Sequence, residues 1–265
     1  MSSLEAGLAG QGFFGVDASS AVCAAYNKVA LEWYEVDKRF RLAMVVSSVD
    51  VEGAVAEIKS MGKHPGVVAV YVPLTSVPLG NKHFYPIFAA AQEMDLPIFL
   101  HITAAEFTHQ GVPMAPFGTM ENFSERRVSY AFLGPPVLNS LMFNGVFERF
   151  PKLKFAFAEF GFSWAVGLMC RMDATWRFAR AGTPWVKRPP SEYVRERVRF
   201  GTQPMDDPSP EDMSKLISLL GPECLMFSTD YPHWDLDAPG HILSGESDET
   251  KRMIYRTNAQ ETFRW

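Results

Sequence analysis

The stretch Leu225-Met-Phe-Ser-Thr-Asp230-Tyr-Pro-His233-Trp-Asp235 is an apolar run that ends abruptly in acid, phenol and imidazole. An apolar run bounded by proline reads as a buried strand whose polar groups appear only at its carboxyl end. In parallel α/β proteins that end is where ligands bind and chemistry takes place. Asp230 is therefore a candidate to bind a metal, move a proton or accept backbone hydrogen bonds. The company it keeps decides among these.

Working outward, two other segments repeat the design. Pro97-Ile-Phe-Leu-His101 and Lys154-Phe-Ala-Phe-Ala-Glu159 are apolar runs that each end in a titratable group. A lone strand-end histidine is commonly a hydrogen-bonded structural residue. Three strands ending in His101, Glu159 and Asp230 point instead to a joint site at one end of a sheet.

Helix signals alternate with these strands. Asp50 is a candidate N-cap for a helix with Val51, Ala54, Val55, Ile58 and Met61 on one face, the three-and-four spacing of a half-buried helix. Helices are also expected over 85–94, 135–150 and 164–180. Ser209-Pro210-Glu211-Asp212 combines an N-cap, a first-turn proline and acids that complement the helix dipole, and Gly221-Pro222 ends that helix. A last helix starts near Ser247. Strands near Arg41, Val67, Pro97, Lys154, Val198 and Cys224 make six βα repeats in a single domain spanning 1–265.

Such a repeat folds either as an open doubly wound sheet or as a (β/α)8 barrel. Gly7, Gly10 and Gly12 follow no strand, so a dinucleotide-binding reading is weak. Functional groups drawn from several strand ends favour the barrel. The segment from Thr103 to Gly134 lacks periodicity and reads as a long substrate-facing excursion above His101.

Composition narrows the function classes. The 265 residues are 47% hydrophobic and 21% charged, with a net charge of -5, as in an ordinary globular domain without a cationic footprint for nucleic acid or anionic lipid. The basic residues between Lys187 and Arg199 are interleaved with Glu192 and Glu196 and read as helical ion pairs. The three cysteines, Cys23, Cys170 and Cys224, are too far apart in sequence for a thiolate zinc site. A cytoplasmic setting is expected, with no membrane span and no signal peptide in the first residues.

Several segments together carry a family resemblance: Leu96-Pro-Ile-Phe-Leu-His101, Gly145-Val-Phe-Glu-Arg-Phe-Pro-Lys-Leu-Lys154, Glu159-Phe-Gly-Phe-Ser-Trp164 with Arg171-Met-Asp173, Pro190-Ser-Glu-Tyr193, Thr202-Gln-Pro204, Ser228-Thr-Asp230-Tyr-Pro-His-Trp-Asp235 and Asn258-Ala259. From about Asn27 onward the chain resembles the amidohydrolase-related (amidohydrolase 2) proteins, relatives of aminocarboxymuconate-semialdehyde decarboxylase and aromatic-acid decarboxylases. The resemblance implies a TIM-barrel-like metal-dependent hydrolase fold, with His101 as the fifth-strand metal ligand and Asp230 as the eighth-strand ligand. Glu159 falls where the family's decarboxylases carry a histidine. The family's opening His-x-His strand has no counterpart before His101.

On that reading the barrel is amino-terminally truncated, with about six of eight βα units and the first two absent. Its outer strands would expose unpaired edges. The resemblance implies a divalent metal, zinc ahead of manganese, and a small carbonyl or carboxylate substrate, aromatic ones included. Asp230 and Glu159 would be catalytic, and Trp164, His233 and Arg171 would contact substrate. Hydrolysis is the first reading and decarboxylation on the same scaffold the second. A non-catalytic remnant or assembly subunit is a third, and a homo-oligomer is compatible with each reading. A serine hydrolase built on Gly161-Phe-Ser163-Trp-Ala165 is disfavoured, because the elbow lacks its second glycine.

Overall fold

The computed structural model describes residues 4–102, 121–206, 209–238 and 243–264. The fold is α/β, and its six strands follow one another in one parallel sheet in the order β1-β2-β3-β4-β5-β6. Sequential order is the progression of a barrel repeat, whereas a doubly wound sheet reverses direction at a switch point. The chain divides into two compact units, Met1–Glu121 with Arg149–Phe155, and Asn122–Glu148 with Ala156–Trp265.

The first unit holds α1 (Leu4–Gly10), α2 (Val16–Val36), β1 (Leu42–Val45), α3 (Val51–Met61), β2 (Val67–Tyr71), α4 (Tyr85–Glu93) and β3 (Ile98–His101). Every residue of β1 and β2 is buried, as expected for parallel strands covered on both faces. β1 pairs with β2, and β2 with β3, both in parallel. The Asp50 cap forms as expected, its carboxylate accepting from the Gly53 amide at 3.0 Å and from the Ser20 hydroxyl at 2.6 Å.

The second unit holds α5 (Phe123–Ser129), α6 (Gly134–Phe143), most of α7 (Val146–Arg149) and of β4 (Phe155–Ala158), then α8 (Ser163–Ala179), α9 (Pro190–Arg197), β5 (Val198–Gly201), α10 (Pro210–Leu220), β6 (Leu225–Met226), α11 (Asp248–Arg252) and α12 (Asn258–Phe263). Ser209 caps α10 by accepting from the Asp212 amide at 3.2 Å. Phe157, Phe160, Trp164 and Phe200 pack ring against ring beneath the ends of β4 and β5, with centroids 5.4 to 6.1 Å apart.

Four expectations need correction. The helix expected over 135–150 is broken at Gly145, whose φ of 74° is left-handed and whose missing Cβ leaves room for the Trp185 ring. The last strand is shorter than the apolar run, because the Phe227 amide turns away to the Ile254 carbonyl at 2.9 Å. Part of the segment read as irregular from Thr103 to Gly134 is helical: Asn122 accepts from the Glu125 amide at 2.9 Å and starts α5. Residues 103–120 of it, including Glu106 and His109, lie outside the described residues.

The fourth concerns the sheet edges. β1 is an outer strand, yet its open side is not bare. Asn27 of α2 donates to the Val45 carbonyl and accepts from the Val45 amide, each at 2.9 Å, the pair of bonds a neighbouring strand would make. The Ser48 amide is taken by the Gly10 carbonyl at 2.7 Å, and Ser19 bonds to Ser47 at 2.8 Å. At β6, the Asn258 amide group donates to the carbonyls of Leu225 and Pro222 at 2.7 and 2.8 Å. Helical asparagines thus satisfy backbone groups that would otherwise be orphaned.

Asn27 is fully buried, so Asn27→Ala leaves both Val45 groups unpaired and should lower unfolding stability by about 1–3 kcal/mol. Chemical denaturation gives the magnitude, and faster hydrogen exchange at the Val45 amide locates the damage; unchanged exchange there would assign the edge to another partner.

Candidate functional site

The chemistry-bearing residues of the second unit gather just past β4 and β6. Glu159 follows β4 directly and has φ 67°; Asp230 follows the β6 run and has φ 58°. Both are non-glycine residues in the left-handed region, a costly conformation that the surrounding structure must hold. At Asp230 the turn is closed by the His233 amide, which donates to the Asp230 carbonyl at 2.8 Å. At Glu159 the carboxylate is gripped by Arg127 of α5, with Nη1 donating to Oε1 at 3.0 Å.

Ligand atoms of Glu159, Asp230 and His233 all lie within 4.8 Å of one another, and theirs is the one group of three metal-competent side chains among the described residues. His233 Nδ1 lies 2.9 Å from Asp230 Oδ2. Arg127 reaches a second acid through Nη2, which bonds to Asp235 Oδ2, and its guanidinium stacks over the Tyr130 ring. Asp237, farther along the loop, accepts from the Met205 amide at 3.1 Å, and its own amide bonds to the Thr229 carbonyl at 3.0 Å.

Burial pushes the Glu159 carboxyl up to about 7, and the neighbouring Asp230 carboxylate adds to the shift against the opposing pull of Arg127. Asp230 is raised mainly by burial, with His233 opposing, and Asp237 is likewise raised by burial. Two neighbouring carboxylates partly withdrawn from water favour protons or a cation. Two carboxylate oxygens and an imidazole nitrogen are the donor set of a divalent ion that tolerates oxygen, so the residues fit a metal.

The other expected site residues have different settings. His101 closes β3 in the first unit, stacked on Phe99 at 6.3 Å with Tyr71 edge-on at 6.2 Å, and it is not one of the clustered three. Trp164 packs on Phe157 and Phe200 and donates to the Phe160 carbonyl at 3.0 Å. Arg171 is exposed on α8. His233, Tyr231 and Trp234 are largely exposed, and Trp234 lies beside Phe123, rings 6.0 Å apart. The strand-end pattern does not single out Arg127, Asp235 or Asp237 as functional. The Asn122-x-x-Glu125 cap was the available signal that Arg127 sits on a helix.

The chain matches the amidohydrolase family (amidohydrolase 2) over residues 2–265 and belongs to that family. The match thus begins well before Asn27. Among solved structures it is similar to 5-carboxyvanillate decarboxylase from Sphingomonas paucimobilis (20% identity, TM-score 0.73, covering 96% of this chain and 76% of that one). It is similar to 2,6-dihydroxybenzoate decarboxylase from Rhizobium (19%, TM-score 0.69, covering 93% and 78%). A third is a dihydroxybenzoic acid decarboxylase from a Polaromonas species, solved with manganese and the inhibitor 2-nitroresorcinol (21%, TM-score 0.66, covering 93% and 76%). At these identities the likeness establishes the TIM-barrel-like fold. No curated protein matches the sequence. No described helix is long and apolar enough to cross a membrane.

The carboxyl shifts fix the sign of a pH effect. A carboxyl raised from 4.5 to about 7 on folding stabilises the native state below its unfolded value, and that contribution is lost as pH rises through the folded value. Metal-free protein should therefore melt at progressively lower temperature from about pH 4.5 to about pH 7 and level above that, and Glu159→Gln should flatten the slope. A melting temperature that climbs across this range would contradict the assignment.

Proposed function

We propose that the protein is a divalent-metal-dependent enzyme that acts on a small carboxylate or carbonyl substrate, with non-oxidative decarboxylation of an aromatic acid as its reaction. One observation carries the reading: Glu159, Asp230 and His233 present three donor atoms within 4.8 Å, around carboxylates whose mutual repulsion a cation would relieve. Manganese suits two carboxylates and one imidazole better than zinc, the ion that the family resemblance put first, since oxygen-rich donor sets select harder ions. The manganese-bound Polaromonas enzyme supports that order.

These three residues would hold the ion, which supplies Lewis acidity toward a substrate carboxylate or carbonyl oxygen. To hold the ion, Glu159 would have to give up the proton that burial favours on it. Arg127 fixes the Glu159 carboxylate from behind while anchoring Asp235, so the donor geometry is set before any ligand arrives. Decarboxylation needs a proton delivered to the carbon that loses carbon dioxide, from an acid not engaged by the ion. Asp237, held above the ordinary carboxylate range by burial, fits that role. The exposed Trp234 and Phe123 offer an apolar wall for an aromatic ring.

Hydrolysis of an amide or lactone is the second reading. It uses the same donors with water as nucleophile, and the family relationship favours it.

Titration calorimetry with manganese and carbon dioxide release from 2,6-dihydroxybenzoate and 5-carboxyvanillate test the proposal. Wild type should bind one ion with affinity that rises with pH to about 7 and then levels. Asp230→Asn should weaken binding by at least about tenfold and abolish turnover. A wild-type chain that takes up neither manganese nor zinc would rule out the metal reading; metal binding with amide or lactone turnover and no carbon dioxide would select hydrolysis.

A further inference from the structure

α2 carries two stripes. Its inner stripe, Ser19, Cys23, Asn27 and Ala30, is buried and closes the β1 edge. A second stripe runs beside it: Val22, Tyr26, Val29, Trp33 and Val36, spaced four, three, four and three residues apart, with Phe40 beyond the helix end packing back on Trp33. That is the 3.5-residue repeat of a helix-pairing seam. Val29 is 59% exposed, Trp33 50%, Val36 83% and Phe40 41%, and Trp33 meets Phe40 edge-on at 5.6 Å. Single exposed apolar side chains are ordinary; a continuous row in this register is not.

We propose that this seam is the contact between two copies of the chain, with the two α2 helices antiparallel about a two-fold axis near residue 31. The charges flanking the seam identify a second copy as the occupant. Lys28, Glu32 and Glu35 lie along one side of it, the cation nearer the amino end and the acids nearer the carboxyl end. Antiparallel pairing centred between Val29 and Trp33 sets Val29 against the partner's Trp33 and places Lys28 opposite the interval between the partner's Glu32 and the partner's Glu35, the second of which Lys38 also holds within its own chain at 2.7 Å. Parallel pairing would instead set Glu32 near the partner's Asp37, whose charge Arg39 already meets at 2.6 Å, so that arrangement gains no ion pair. The same patch serves both copies, as an isologous interface requires. This inference is independent of the chemistry assigned to the acid cluster.

Sedimentation velocity on the full chain over a range of concentrations tests it. Wild type should sediment as a dimer, and Val29→Glu with Trp33→Glu should raise the dissociation constant by at least about tenfold while circular dichroism and melting temperature stay those of a folded chain. A charge swap tests the direction of pairing without placing acids in the seam. Lys28→Glu alone should weaken the dimer, and adding Glu32→Lys and Glu35→Lys should restore it. A wild type that stays monomeric at every concentration, or a dimer indifferent to both the seam and charge variants, would overturn the proposal; a dimer weakened by the seam variants but not rescued by the swap would overturn the antiparallel arrangement.

Discussion

Backbone hydrogen bonds at the outer strands are the constraint on which the rest of the fold depends. A parallel sheet is stable only when its backbone groups are paired and both faces are covered. In β1 the Val45 amide and carbonyl are met by the side chain of Asn27, and in β6 the Leu225 carbonyl is met by Asn258. An asparagine side chain has the donor and acceptor of a peptide group, so a helix carrying one at the right position can stand where a strand would be. With Val45 satisfied, β1 and β2 can be apolar throughout.

The acid cluster runs against stability in the same molecule. Glu159 and Asp230 are brought together in buried surroundings, in left-handed conformations that suit neither residue. Arg127 offsets part of that cost by bridging Glu159 and Asp235, although burial and like charge still hold the Glu159 carboxyl near 7. Backbone strain and like charge are thus gathered at a single place, while Phe157, Phe160, Trp164 and Phe200 pack ring against ring in the same unit.

Much of the architecture was legible in the sequence because it is written in local periodicity and caps. The apolar runs at 42–45, 67–71, 98–101, 155–158 and 198–201 became strands, and Asp50 and Ser209 capped the helices expected after them. Where the local pattern is ambiguous the reading failed. The break at Gly145 depends on the Trp185 ring, and α1 and α2 escaped notice because α2 presents polar and small residues, not an apolar face, to the sheet.

For the site, the sequence by itself determined which side chains stand at strand ends: His101, Glu159 and Asp230 each close an apolar run, and His233 follows Asp230 within one tight turn. The family follows from the same residues. Only the tertiary structure decided which of them cluster, since Glu159 and Asp230 are far apart along the chain and their convergence is a property of strand order. It also decided the place of Arg127, whose partners are 32 and 108 residues away. Periodicity and caps report interactions a few residues long, whereas the protonation of Glu159 is set by burial and by charges that only the folded chain brings to it.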